Sequence, residues 1–361
     1  MKEVSLTFTS PTGRTAAPGQ LFFDIETTGL SAERAMTYLI GCAWYEENGW
    51  HLKQWFADRK EAENELLKAF ASHCTRFDTL VHFNGNGFDI PFLSKRYERA
   101  RIPAPFSALE SLDLYRMAKP LKKLLGLNDL KQKTLERFLA IGREDKFSGG
   151  DLIELYRLYL GTRDPKLERF LLLHNEEDIK GMTGLLAIPD YLAWQEDDFV
   201  FEKFEKRAYR TYEGNHAEEC FLTFTYSTAL PAGFSSHHPS GAVLAVRADR
   251  LTLRLPVFHG TLKHYYSNYR DYYYLPLEGK AIHKSVASFV DPTYREKASR
   301  ENCCVTKEGA FLPQPCRQIE PVFQTGPKEK VYYFECCETS FRSAEKNAAF
   351  LKDWLKCFAS R

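Results

Sequence analysis

Residues 21–30 read Leu-Phe-Phe-Asp-Ile-Glu-Thr-Thr-Gly-Leu, an apolar run broken at alternate positions by two acids. Side chains on a strand alternate faces, so this spacing predicts a strand carrying Asp24 and Glu26 side by side. Strand-like runs follow at Thr37–Tyr45 and Trp50–Phe56, and Asn48-Gly49 between them is a hairpin turn signal. The period then changes, and Leu66, Leu67 and Phe70 at helical spacing predict a helix over Lys60–Cys74. A short apolar strand at Thr79–Phe83 leads into the turn Asn84-Gly85-Asn86-Gly87 and a helix over about Pro91–Arg101, with Pro91 in its first turn. Another strand is expected at Ala108–Leu114, then helices to about residue 188. This order predicts an α/β fold: a mixed five-stranded sheet with flanking helices.

Near Pro189 the texture shifts. Runs such as Phe221–Tyr226, Gly241–Arg247 and Leu251–Val257, separated by Gly, Pro, Ser and Asp, predict a β-rich second domain. A last helix over Ala344–Cys357 places Phe350, Leu351, Trp354 and Leu355 on one apolar face. The expected division is an N-terminal extension over 1–19, an α/β domain over 20–190, and a β-rich accessory domain with a C-terminal helix over 191–361.

At 361 residues the chain has room for two cores, and 44% hydrophobic with 27% charged residues is ordinary globular composition. Net charge is +1, which selects no partner, but residues 231–361 hold 19 basic and 13 acidic side chains against 30 and 35 before them. An acidic first part and a basic second part suit a metal site joined to a polyanion-holding surface. The N-terminal residues lack a signal-peptide core, and no apolar run reaches membrane-spanning length, so a cytoplasmic setting without membrane contact is expected. The nine cysteines are accordingly read as reduced thiols.

The acidic pair changes the picture most. Two carboxylates on one face of an apolar strand repel each other and lose hydration unless cations neutralise them. Two further features carry chemistry. In His82-Phe83-Asn84-Gly85-Asn86-Gly87-Phe88-Asp89, a buried strand ends in a turn that delivers Asp89 to a helix start, where it would serve either as a ligand or simply as a cap. In the helix expected from about Lys166 to Leu186, Leu167, Leu171, His174 and Asp178 share one stripe that begins apolar and ends polar. Glu176 and Glu177 read as solvated positions, and Asp113 as a cap or salt-bridge partner.

Taken in order, Asp24-x-Glu26, Asn84-x-x-x-Phe88-Asp89 and His174-x-x-x-Asp178 resemble the three motifs of the DEDD 3′→5′ exonucleases of the ribonuclease H-like superfamily. The chain is most similar to the YprB-like branch, which is also similar to the proofreading exonuclease domains of family B DNA polymerases. The resemblance covers about residues 20–190. It implies a ribonuclease H-like fold and a metal-dependent nuclease, with Asp24, Glu26, Asp89 and Asp178 holding two Mg²⁺ or Mn²⁺ ions and His174 as general base. The implied substrate is nucleic acid, entered at single-stranded 3′ ends, with Thr27, Leu30, Asn84 and Phe88 contacting it. One interval departs from the family pattern: its histidine subgroup places the base five residues before the last Asp, whereas here the interval is four. Hard divalent cations prefer carboxylate oxygens, and an imidazole with a pKa near 6.5 accepts a proton at neutral pH, so the residue types suit the implied chemistry.

In the second domain, Tyr265, Tyr266, Tyr269 and Tyr272–Tyr274 interleave with Lys263, His264 and Arg270. Such a patch would stack on unpaired bases and track phosphates, and it would equally suit half-buried strands. Cys303-Cys304, Cys316 and Cys336-Cys337 lack the two-to-four-residue loops between ligands that structural zinc sites use. Two other functions remain open on sequence grounds: a catalytically degenerate nucleic-acid-binding module, and a metal-binding scaffold.

Overall fold

The computed structural model describes every residue except 48, 146, 148 and 361, so the expected Asn48-Gly49 turn falls partly outside the described residues. The chain divides into two compact units, one of residues 1–122 and 127–192, the other of 123–126 and 193–361.

The first unit begins with β1 (Lys2–Phe8), β2 (Gln20–Thr27), β3 (Thr37–Glu46) and β4 (Gly49–Phe56). After α1 (Glu63–Cys74) come β5 (Thr79–His82), α2 (Asp89–Ala100), β6 (Glu110–Asp113) and the short α3 (Leu114–Ala118). Four more helices follow: α4 (Gln132–Phe138), α5 (Gly149–Thr162), α6 (Pro165–Gly184) and α7 (Ile188–Trp194). The sheet order is β1-β4-β3-β2-β5-β6, antiparallel through β2 and parallel from β2 to β6. The mixed sheet with flanking helices is therefore present with six strands where five were expected. The additional one is β1, within the segment read as an extension. Its Lys2, Val4 and Leu6 pair with Phe56, Gln54 and Leu52, so it covers the exposed edge of β4.

Leu21, Phe23 and Ile25 of β2 join Leu66, Phe70 and Trp55 in the core, with Phe23 and Phe70 ring centroids 5.6 Å apart. Asp24 and Glu26 take the opposite face, toward α6, which packs on β2, β3 and β4. At the end of β2 the register slips: Glu26 pairs with Leu39 but Thr27 with Thr37, so Tyr38 is passed over in a bulge. Beyond it, Thr28 N–H still reaches the Met36 carbonyl at 3.0 Å. The helix expected from about Pro91 begins two residues earlier, at Asp89 itself.

The second unit is β-rich. β7 (Val200–Arg210), β8 (His216–Thr225), β9 (Phe234–His237), β10 (Val243–Arg247) and β11 (Arg250–Pro256) form an antiparallel sheet in the order β7-β8-β11-β10-β9. β12 (Phe258–Tyr265) and β13 (Tyr272–Leu275) belong to two smaller sheets. The helix at Ala344–Ser360 buries Phe350, Leu351, Trp354 and Leu355, as its apolar face predicts. No helix among the described residues is long and apolar enough to cross a membrane.

Candidate active site

Strand alternation sets Asp24 and Glu26 on one face, and the sheet then gives Asp24 unusual neighbours. Asp24 pairs with Gly41 and Gly41 with Gln54, forming a row across three strands. The fully buried Asn175 of α6 lies over this row. Its amide donates to Asp24 Oδ2 at 2.9 Å, while its Oδ1 accepts from Gln54 Nε2 at 2.9 Å. Gly41 is what admits it: a Cβ there would lie 1.9 Å from Asn175 Oδ1. Close approach, rather than a turn, requires this glycine.

Asp89 arrives from the end of β5, as expected, and is buried. The backbone amides of Asp89 itself and of Ile25 in β2 favour its ionised form. Asp178 and His174 descend from α6 at adjacent turns. Glu26, His174 and Asp178 each offer one potential ligand atom, all within 4.8 Å of one another. The four-residue interval still points the imidazole inward, with His174 Nε2 3.3 Å from Asp178 Oδ2 and 3.7 Å from Glu26 Oε1. The structure thus brings these residues together.

Protonation energetics set the character of the cluster. Burial pushes the Asp24 carboxyl well above the usual carboxylate range, and the charges of Asp178, Glu26 and Asp89 push it further. Burial likewise raises Glu26 to about 8, despite the opposing pull of His174. Burial raises Asp89 to about 7 against those two amides. For Asp178, burial is outweighed by the hydrogen bond and charge of His174 and by Arg143, so its carboxyl lies below the usual range. His174 responds in kind: burial would lower its pKa, but Asp178, Glu26 and Asp145 raise it. Three of four carboxyl groups are held against ionisation, and oxygen donors so placed are completed by divalent cations. The donor set fits such ions.

A second layer was not legible in the sequence. Asp145, whose side chain is only 1% exposed, accepts from His174 Nδ1 at 2.7 Å. Lys133 Nζ at 3.1 Å and the Phe147 amide at 3.0 Å hold Asp145 in turn. Arg143 bridges the buried Glu136 at 2.9 Å and Asp178. Gly181 makes room for Glu136, because a Cβ there would lie 1.9 Å from Glu136 Oε1. Glu177, read as solvated, instead accepts from the backbone amides of Glu144 and Asp145 at 2.7 and 2.8 Å. The only sequence signal for any of this was the polar density of His174-Asn175-Glu176-Glu177-Asp178.

The remaining expected contacts divide. Leu30 is 85% exposed and lines, with Phe88, a cavity of about 220 Å³. Thr27 is buried and donates its hydroxyl to the Gly29 carbonyl at 2.9 Å. Asn84, exposed with φ 59°, donates its backbone N–H to Asp113 Oδ1 at 2.9 Å. Asp113 caps α3 through the Tyr115 amide, in keeping with its reading as a cap. In the second unit, Tyr266 stacks on Tyr272 at 4.7 Å, and Arg270 and Arg300 lie over Tyr269. The tyrosine patch is thus substantially self-occupied. All nine cysteines are free thiols.

The mixed sheet, its carboxylates at the ends of β2 and beyond β5, and the helix α6 laid across it define a ribonuclease H-like α/β domain. Residues 21–188 match the family model RNase_H_2 of the RNase_H superfamily. Among solved structures, the chain is similar to the family B DNA polymerase of the hyperthermophilic archaeon Pyrobaculum calidifontis (16% identity, 49% of this chain and 25% of that one, TM-score 0.39). It is also similar to E. coli exonuclease I in complex with a dT13 oligonucleotide (11% identity, 57% and 54%, TM-score 0.30). A third is exonuclease I of Methylocaldum szegediense (12% identity, 57% and 54%, TM-score 0.29). The chain spans about half the length of these exonucleases and a quarter of the polymerase. No curated protein matches it.

Proposed function

We propose that the first unit is a divalent-metal-dependent nuclease that hydrolyses phosphodiester bonds from single-stranded 3′ ends, in the 3′→5′ direction. The observation that supports this reading is the cluster of Glu26, His174 and Asp178, whose potential ligand atoms lie within 4.8 Å of one another, with the buried Asp24 and Asp89 close enough for these carboxylates to oppose one another's ionisation. Two Mg²⁺ or Mn²⁺ ions held by these four carboxylates would supply Lewis-acid stabilisation of the charge that develops on the phosphate and the leaving 3′ oxygen. The chain's own residues do the rest. His174 Nδ1 is committed to Asp145 and Nε2 faces Asp178 at 3.3 Å, so Nε2 would take the proton of the attacking water only once that contact with Asp178 is given up. Asn175 holds the Asp24 carboxylate in one orientation, and the amide of Ile25 favours the ionised form of Asp89. Leu30 and Phe88 flank the cavity where the terminal nucleotide would lie, and Thr27 and Asn84 shape the turns beside it.

The test is digestion of 5′-labelled single-stranded DNA and RNA with Mn²⁺. A ladder shortening from the 3′ end, abolished by Asp24→Ala, is expected. Intact substrate at high enzyme concentration, with both metals and both nucleic acids, would overturn the nuclease reading.

A further inference from the structure

A second anionic-ligand site lies outside the carboxylate cluster. A cavity of about 350 Å³ is walled by Arg34, Lys60, Arg96, Arg99 and Arg157, with Thr28, Tyr156 and three apolar side chains completing it. No carboxylate lines it. Its cations come from four separate parts of the chain: the turn after β2, the segment before α1, α2 and α5. Their existing partners leave a surplus. Arg96 is neutralised by Glu63, and Arg157 pairs with Glu154 at 2.6 Å, whereas among the described residues Arg99 meets the Glu33 carbonyl at 2.8 Å and no carboxylate. Among the described residues, Arg34 and Lys60 have no carboxylate partner, and both are exposed. Mutual repulsion among these cations is unfavourable unless an anion completes the cavity.

The location suggests which anion. Thr28 is both part of the cavity wall and two residues beyond Glu26, at most about 7 Å of chain from that proposed ligand. The wall behind it is rigid: Tyr156 stacks on Tyr38, the residue passed over in the bulge, with centroids 4.1 Å apart, and its hydroxyl is bound to the Ala57 carbonyl at 2.8 Å. A strand whose end reached Glu26 would carry further phosphates at distances this cavity can meet. Guanidinium groups bind phosphate oxygens in a fork geometry that suits such contacts.

We infer that the cavity of Arg34, Lys60 and Arg99 binds backbone phosphates of the nucleic-acid strand away from the bond being cut. This rests on the nuclease reading for its choice of ligand. It explains a cation surplus that the cluster chemistry does not use.

The experiment measures binding of a fluorescent single-stranded 12-mer by anisotropy, without divalent metal, across a salt series. Parallel titrations use a mononucleotide and inorganic phosphate. Arg34→Ala/Lys60→Ala is expected to weaken 12-mer binding at least tenfold and to lower the slope of log affinity against log salt by about 1.4, two phosphate contacts on a single strand. Arg34→Lys/Lys60→Arg should retain most of the slope, which separates lost charge from damaged structure. An unchanged slope and affinity in the double alanine variant would overturn the inference, as would a mononucleotide or phosphate that binds as tightly as the 12-mer. Salt-dependent binding that is lost in the variant, in a protein that cuts nothing, would uphold this site and sink the nuclease reading alone. Cutting with an unchanged slope would do the reverse.

Discussion

Asp145 accepts a hydrogen bond from His174 Nδ1 at 2.7 Å, although 29 residues separate them and Asp145 lies in an irregular segment between helices. The contact fixes which imidazole nitrogen faces Asp178 and Glu26. It makes Asp145 a positioning residue, acting through His174 rather than on substrate. Asp145→Asn is expected to lower kcat roughly 10–100-fold with little change in KM, in line with other partners of site histidines. His174→Ala should cost at least as much, and the two losses should not add, because both remove one function. Additive losses in a double-mutant cycle would break this link.

Gly41 is occupied, in effect, by Asn175. Gly41→Ala drives a methyl group into the Asn175 amide and is expected to cost about 1–3 kcal/mol of stability while disturbing Asp24. Urea unfolding measures the first effect and Mn²⁺ titration the second. Asn175→Ala alone leaves the buried Gln54 amide with one partner fewer, the Leu172 carbonyl at 2.9 Å remaining. Its expected cost is about 1–3 kcal/mol. Combined with Gly41→Ala, the overlap is gone, so the double variant should be more stable than the sum of the two predicts.

Arg143 neutralises the buried Glu136 as well as Asp178. Arg143→Met removes one member of a buried ion network and leaves Glu136 uncompensated, an expected loss of about 3–5 kcal/mol. Adding Glu136→Leu should recover much of it. Chemical denaturation of the three proteins decides this, and an equally unstable double variant would contradict it.

Stability without metal should fall as pH rises from about 5 to 8. The carboxyls of Asp24, Glu26 and Asp89 have folded pKa values raised above their unfolded ones, so the folded state binds more protons across this window and loses stability as they leave. His174, also raised, contributes stability at low pH that is lost in the same direction. Asp178, depressed, acts only in acid, below the usual carboxylate range. The midpoint of thermal unfolding in EDTA should therefore drop between pH 5 and 8. Mn²⁺ should restore it, with a larger gain at pH 8, since the ion then displaces fewer protons.

What the sequence by itself determined was whatever depends on short-range periodicity. Strand alternation placed Asp24 and Glu26 on one face, helical spacing stacked His174 on Asp178, and the Gly-rich turn led to a buried Asp89 whose charge acts on Asp24 and Glu26. Those local rules also identified most strands and helices of the first unit, while the pairing of β1 along β4 was hidden because an edge strand half-exposed to solvent carries little pattern. Tertiary structure decided everything that joins distant segments. Asp145 meets His174, Asn175 settles over Gly41, Arg143 joins Glu136 to Asp178, and four separate segments build a basic cavity. None of these pairs shares a period, since each depends on how α4, α5 and α6 pack against the sheet. The physical reason is that periodicity reports only which face of an element a side chain occupies, whereas the partner across that face is chosen by packing.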